Sequence, residues 1–310
     1  MLLILRLFAQ LPLPVLHFFG ALLGLLSLLR RRHRQVVSEN LRHAGFYSTT
    51  LLLKSSIEFG KGLIELLPIW LRPLDEVTGW VREVRGWEHV EAALATNKNA
   101  NKGGGKGLIV LGPHLGCLEL AGLYLAARMP ITALYRRPRQ DWAHALMQAG
   151  RCRGQAFMVE ANLAGVRALL KALKRNQAAW VLPDQTANKG EGAWAPLFGR
   201  WAYMPTLLYR LAESSGAQPL LFCCERLSWG RGYRLIIEPL PPLPTDITAA
   251  MRIVNQALEA SVRRLPHQYL WSYRLHRLHH DAPPPEENTN GDTKANTKSN
   301  TKENPAEIGE

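Results

Sequence analysis

The sequence predicts an α/β fold: a mostly parallel central sheet with helices on both faces, preceded by an N-terminal membrane-anchoring helix. Three observations carry this. Short apolar runs such as Leu108–Leu111, Ile131–Tyr135 and Ala178–Leu182 alternate with longer stretches of helical spacing, the pattern of strands joined by crossover helices. A chain of 310 residues with 47% hydrophobic residues can fill one large core. Finally, Leu11 to Leu29 is almost wholly apolar and is followed at once by Arg30-Arg31-Arg32-His33-Arg34.

That first stretch is nineteen residues long, about the length that crosses a hydrocarbon core. Pro12 and Pro14 can kink or shorten it, so it either spans or lies in the interface. The abutting arginines place the following domain on the cytoplasmic side. Only Arg6 precedes the apolar run, and no small-residue cleavage site follows it, which argues against a secretory signal. Helical spacing then recurs over residues 35–46 and 51–71. Trp70, Trp80 and Trp87 suit either a headgroup belt or ordinary core packing. Val81–Arg85 reads as a strand, Glu88–Ala95 as a helix, and Thr96–Lys106 as a low-complexity surface loop. The glycines of that loop lack the spacing of a nucleotide loop.

Beyond Leu111 the order is helix (from Leu118), strand (Ile131–Tyr135), helix through Gln148, strand (Phe157–Val159), helix (Leu163–Leu173) and strand (Ala178–Leu182). Later elements are a helix over Leu207–Ser214, the runs Gln218–Cys224 and Tyr233–Glu238, and an amphipathic helix over Ile247–Leu265 that Thr245 or Asp246 caps. Tyr269–Tyr273 closes the domain. The organisation is therefore an anchor with its basic flank over residues 1–34, a catalytic domain over 35–280 and a disordered tail over 281–310.

Net charge is +13, and residues 1–280 hold thirty-five Lys and Arg against eighteen Asp and Glu. Such a surplus implies acidic partners: anionic lipid, a phosphorylated substrate or an acidic carrier protein. Nucleic acid is the weakest of the acidic partners, since no nucleic-acid-binding signature appears, and none is expected. Cys117, Cys152, Cys223 and Cys224 show no C-x-x-C spacing and fit reduced cytoplasmic thiols. His276, His279, His280 and Asp281 look like a metal cluster on composition alone, and their place at a basic domain end makes them solvated groups.

The stretch Gly112-Pro113-His114-Leu115-Gly116-Cys117-Leu118-Glu119 joins a buried strand to a helix. Two residues five apart on one helix lie roughly 140° apart, so His114 and Glu119 meet only if the histidine sits in the loop. A carboxylate on one imidazole nitrogen fixes the tautomer and frees the other nitrogen as general base. Glu119 is the expected carboxylate; the alternative is a capping or packing histidine. Strand-end reasoning brings His114, Arg136, Arg151 and Asp184 toward one crevice at the carboxyl edge of the sheet. The arginines suit phosphate. Cys117 as a nucleophile lacks an oriented Cys-His signature, and a small buried hydrophobe is the better reading.

These blocks resemble the lipid A biosynthesis late acyltransferases. The resemblance runs from Leu11 to Arg277 through His114 and Glu119, Tyr135-Arg136-Arg137-Pro138, Gly150-Arg151-Cys152-Arg153, Pro183-Asp184, Pro196-Leu197-Phe198-Gly199 and Pro266 with Tyr269-Leu270-Trp271. It implies transfer of a fatty acyl chain from acyl carrier protein to a lipid A precursor at the cytoplasmic face of a bacterial inner membrane, without cofactor or metal. It further implies that His114 is the catalytic base with Glu119 as its partner. Arg136, Arg151, Arg153 and Asp184 are then substrate-binding residues. Ala161 stands where the family often has a basic residue, so no basic contact is implied there. Two other readings remain open: a glycerolipid or other membrane-lipid acyltransferase, and a non-catalytic protein that binds anionic lipid.

Overall fold

The computed structural model describes residues 2–98, 106–188, 190–274 and 276. The helices are α1 (Leu2–Ala9), α2 (Leu13–Ser27), α3 (Arg31–His43), α4 (Thr49–Leu71), α5 (Leu74–Thr78), α6 (Trp87–Lys98), α7 (Leu118–Ala126), α8 (Asp141–Arg151), α9 (Leu163–Lys174), α10 (Leu207–Ser215) and α11 (Ile247–Arg264). The strands are β1 (Val81–Arg85), β2 (Leu108–Leu111), β3 (Ile131–Tyr135), β4 (Ala156–Glu160), β5 (Ala178–Val181), β6 (Gly192–Leu197), β7 (Arg200–Pro205), β8 (Pro219–Arg226) and β9 (Tyr233–Pro239).

Seven strands form one sheet in the order β1-β9-β8-β2-β5-β3-β4. β8, β2, β5, β3 and β4 run parallel. β9 turns back antiparallel on β8, and β1 pairs with β9. The sheet is thus mostly parallel, as the alternation of runs predicts.

All four residues of β2 and of β5 are buried. Leu108 and Val110 enter one core with Leu120 of α7 and Phe222 of β8. Ile109 and Leu111 enter the other with Leu169 of α9, Leu208 of α10 and Met251 of α11. Helices cover both faces, so these strands have no solvent face and their sequences show no polar alternation.

The β6–β7 hairpin carries no turn signal that sequence reading recognises. Leu197 pairs with Arg200 across a two-residue turn. Both turn residues, Phe198 (φ 50°) and Gly199 (φ 74°), are left-handed, the geometry usually met by Asn-Gly. Tertiary contacts hold Phe198 there: its N–H donates to Glu259 Oε1 at 2.6 Å and its ring packs on Trp271.

The apolar N-terminal stretch is corrected in one respect. Its helix is shorter than the run: α2 starts after Pro12, ends at Ser27 and meets α3 at a bend of 95°. Among the described residues no single helix is long and apolar enough to cross a membrane. Leu16, His17, Gly20 and Gly24 are buried against α4. A Cβ at Gly24 would collide with the Ser56 carbonyl, and one at Gly60 with the backbone of Gly20 and Gly24. The opposite face exposes Phe18, Phe19, Leu22 and Leu26.

Trp80 is buried, and Trp70 packs over Gly150, so core packing rather than a headgroup belt accounts for both. The expected tail over 281–310, the centre of the low-complexity loop (99–105), and His279, His280 and Asp281 lie outside the described residues.

Candidate active site

β2 and β5 are neighbours in register, with Leu111 opposite Val181. Each strand is followed by a residue, a proline and then a polar side chain: Gly112-Pro113-His114 and Leu182-Pro183-Asp184. Equal offsets from paired strand ends bring His114 and Asp184 together at the carboxyl edge of the sheet. Asp184 accepts twice from one residue, from the His114 backbone N–H to Oδ2 at 2.8 Å and from Nδ1 to Oδ1 at 3.0 Å.

The carboxylate accepts only, so this contact assigns the proton to Nδ1 and leaves Nε2 as the basic nitrogen. The Asp184 side chain is 1% exposed and that of His114 is 24% exposed, so the acid is sealed while the imidazole still reaches the crevice. Burial pushes the His114 imidazole down, and Arg151 adds to that, but the Asp184 charge and hydrogen bond together with Glu119 outweigh them; the net shift is upward. Burial likewise pushes Asp184 up, and His114 overrides it, so its carboxyl falls below the ordinary value.

The loop carrying His114 is held from three sides. Gly116 (φ +69°) lies so close to β8 that a Cβ would collide with the Cys224 carbonyl, which restricts the position to glycine. Cys117 N–H donates to that carbonyl at 2.7 Å. On the other side, Gly116 N–H donates to the Gln268 carbonyl at 3.0 Å, and Leu270 N–H to the His114 carbonyl at 2.9 Å. Asn40 of α3 in turn donates to the carbonyls of Trp271 and Tyr273, each at 2.7 Å.

Glu119 is not the hydrogen-bonding partner of His114, and this corrects the expectation from spacing. Glu119 Oε2 accepts from Arg151 Nε at 3.0 Å and from Trp70 Nε1 at 3.1 Å, while Oε1 takes Arg151 Nη2. A guanidinium fork satisfies both carboxylate oxygens at once, and the end of α8 presents one to the first turn of α7. The Asp184 carboxylate is buried and hydrogen-bonded to His114.

Arg136 is exposed at the rim of the cavity described below. Arg151 lines that cavity. Arg153 is turned away, donating to the Ile69 carbonyl at 2.6 Å and to the Arg72 carbonyl, at the C-terminal end of α4. There it closes helix carbonyls that lack intrahelical partners. Cys117 is 2% exposed, and burial pushes its thiol well up, which makes it a packed side chain rather than a nucleophile. Trp70 escaped sequence reading as a site residue because no local spacing links it to Glu119.

A cavity of about 850 Å³ opens over this edge. Its polar lining includes His114, Glu119, Arg136 and Arg151, and its apolar lining Leu63, Leu66, Leu134, Val166, Leu207 and Met251. A basic nitrogen beside a large, mainly apolar cavity suits chemistry on a molecule with a hydrocarbon chain. Among the described residues no group of three or more His, Cys, Asp and Glu is placed to hold a metal ion.

Comparison with known proteins agrees with this chemistry. The family model for bacterial lipid A biosynthesis acyltransferases matches residues 1–279. The chain is 30% identical over 280 residues to the lipid A biosynthesis palmitoleoyltransferase of Escherichia coli strain K12, covering 87% of this chain and 88% of that one. A lipid A biosynthesis acyltransferase of Shigella flexneri matches to the same extent. The lipid A biosynthesis lauroyltransferase of Escherichia coli strain K12 is 29% identical over 295 residues, 91% of each chain. With its sheet-edge histidine, its apolar chamber and this match along nearly all of its length, the chain belongs to the bacterial lipid A biosynthesis acyltransferase family.

Proposed function

We propose that this acyltransferase moves a fatty acyl chain from an acyl carrier protein thioester to a hydroxyl of a lipid A precursor. The carrying observation is the His114–Asp184 pair set at the wall of a largely apolar cavity. His114 Nε2 takes the proton of the acceptor hydroxyl as its oxygen attacks the thioester carbonyl. Collapse of the tetrahedral oxyanion breaks the C–S bond, and the same proton passes to the departing thiolate. Asp184 stabilises the imidazolium between these steps. Glu119 holds Arg151 in the cavity wall, and Arg151 and Arg136 face the phosphate of the acceptor.

Membrane association belongs to the same proposal. The exposed apolar face of α2 adjoins the arginines of residues 30–34. This is the composition of a surface seated on an anionic cytoplasmic leaflet.

Mass spectrometry of lipid A from a strain lacking this chain tests the reading. One acyl chain should disappear and return on complementation, and purified protein should transfer acyl groups from acyl carrier protein to the under-acylated lipid. Unchanged lipid A with altered phospholipids would identify a glycerolipid acyltransferase instead. No transfer to either class would leave lipid binding alone.

Arg151→Lys separates a guanidinium role from mere charge. An ammonium cannot hold both Glu119 oxygens and a phosphate at once. The loss is about 1.5–3 kcal/mol, roughly ten- to more than a hundredfold in kcat/KM for the acceptor. Steady-state kinetics with varied acceptor lipid check it, and a wild-type kcat/KM would make Arg151 a structural partner of Glu119 only.

A further inference from the structure

A second buried charge cluster touches the same loop two residues beyond His114, at Gly116. Arg226, at the end of β8, donates from Nε to Glu65 Oε2 at 2.8 Å and to Oε1 at 3.0 Å, and its Nη2 meets Oε1 as well. The same Nη2 donates to the carbonyl of Gly116 at 2.9 Å. Both side chains are buried at the floor of the cavity, at 6% and 3% exposure. Glu65 also accepts from the Tyr233 hydroxyl at 2.9 Å and stands 3.6 Å from His17 Nε2. Glu58 lies 3.7 Å from Arg226 Nη1.

The hydrogen bonds close into a ring around the catalytic loop. Arg226 N–H donates to Gln268 Oε1 at 2.8 Å, and Gln268 Nε2 returns a bond to the Arg226 carbonyl at 2.9 Å. The Gln268 carbonyl then receives Gly116 N–H. Gly116 is thereby held at both ends of its backbone by partners that are themselves locked together.

A buried ion pair contributes little net stability over well-packed apolar residues, because both charges are desolvated. Placement is what this one supplies. A fork that reaches Glu65 and the Gly116 carbonyl together sets where β2 hands the chain to α7, and His114 stands in that turn. His17 brings α2 into the same cluster, so the packing of α2 on α4 and the position of the loop are linked.

We propose that Arg226 and Glu65 are positioning residues for His114, and that His17 makes α2 part of the active-site scaffold rather than only a membrane-facing segment. The proposal rests on the reading of His114 as the base, and its test separates the two. Full-length protein in detergent micelles is compared as wild type, Arg226→Lys and the charge-neutral Glu65→Gln/Arg226→Met. The double variant removes the pair without leaving one buried charge alone.

Two readouts are taken: the titration midpoint of the His114 imidazole by nitrogen NMR, and kcat and KM for acyl transfer. Positioning predicts a midpoint about half a unit or more below wild type as the Asp184 contact loosens. It also predicts a fall of about tenfold or more in kcat with little change in KM. His17→Ala should move both in the same direction by less. A double variant that melts cooperatively and keeps the wild-type midpoint and kcat would reduce the cluster to packing and overturn the proposal. A moved midpoint with wild-type kcat would keep the positioning role and remove His114 as base. If the double variant fails to fold, Arg226→Lys carries the same two readouts, since it keeps the charge and loses the fork.

Discussion

His114→Ala should lower acyl transfer by about 10²–10⁴-fold, the usual contribution of a positioned base. The fold should survive, because Asp184 still accepts from the backbone N–H of residue 114 and the loop bonds at Gly116, Cys117 and Leu270 do not use the His114 side chain. Single-turnover rates on purified protein, with circular dichroism as the folding control, measure the effect. A folded variant with wild-type turnover would overturn the mechanism.

Asp184→Asn should be nearly as damaging, roughly 10²–10⁴-fold in kcat. An amide at this position can donate to Nδ1, which moves the imidazole proton to Nε2 and removes the base. The amide oxygen still accepts from the His114 backbone N–H, so the loop keeps that bond while the tautomer changes. The pH profile gives an independent reading. The base must be neutral, and Asp184 raises the His114 imidazole above its ordinary 6.5, so the wild-type rate should climb with pH through a midpoint above that value. Removing the carboxylate should bring the acid limb down. Glu119→Gln should leave the limb nearer its wild-type place, since Glu119 is the smaller of the two carboxylate influences. The reverse order of the two variants would restore Glu119 as the partner of the histidine.

The same pair gives stability an opposite pH dependence at its upper edge. Because His114 is raised in the folded protein, its contribution is complete below about 6.5 and is lost as pH rises through the folded value. Asp184 is lowered, so its contribution holds above its unfolded value near 3.8 and is lost as pH falls through the folded one. The ion pair therefore stabilises most between these limits, on the acid side of the activity optimum. Thermal melts of wild type and Asp184→Asn should differ most there.

Much of the scaffold was legible from residue order. The buried runs at Leu108, Ile131 and Ala178 could only be strands covered on both faces, and the helical stretches between them dictate parallel crossovers. Legibility failed where long-range contacts outweigh local preference. Phe198 occupies a left-handed turn position because Glu259 and Trp271 hold it there, and nothing in the neighbouring residues announces that turn. The apolar run before Arg30 has the composition of an anchor, yet close contact at Gly20, Gly24 and Gly60 folds it onto α4.

The site divides in the same way. Local spacing placed His114 in a strand-to-helix turn and Glu119 in the helix that follows, because apolar periodicity and glycine-proline punctuation act over a few residues. Which carboxylate meets the imidazole depends on which strands are neighbours. Sequence order puts β5 well after β2, and only the sheet sets Val181 opposite Leu111, so that two strand ends with the same proline offset meet. Glu119 is nearer along the chain, but Arg151 arrives from α8 with two donors and takes both of its oxygens. Separation along the chain costs an ordered fold little once the sheet has formed, and hydrogen-bond geometry then selects the partner.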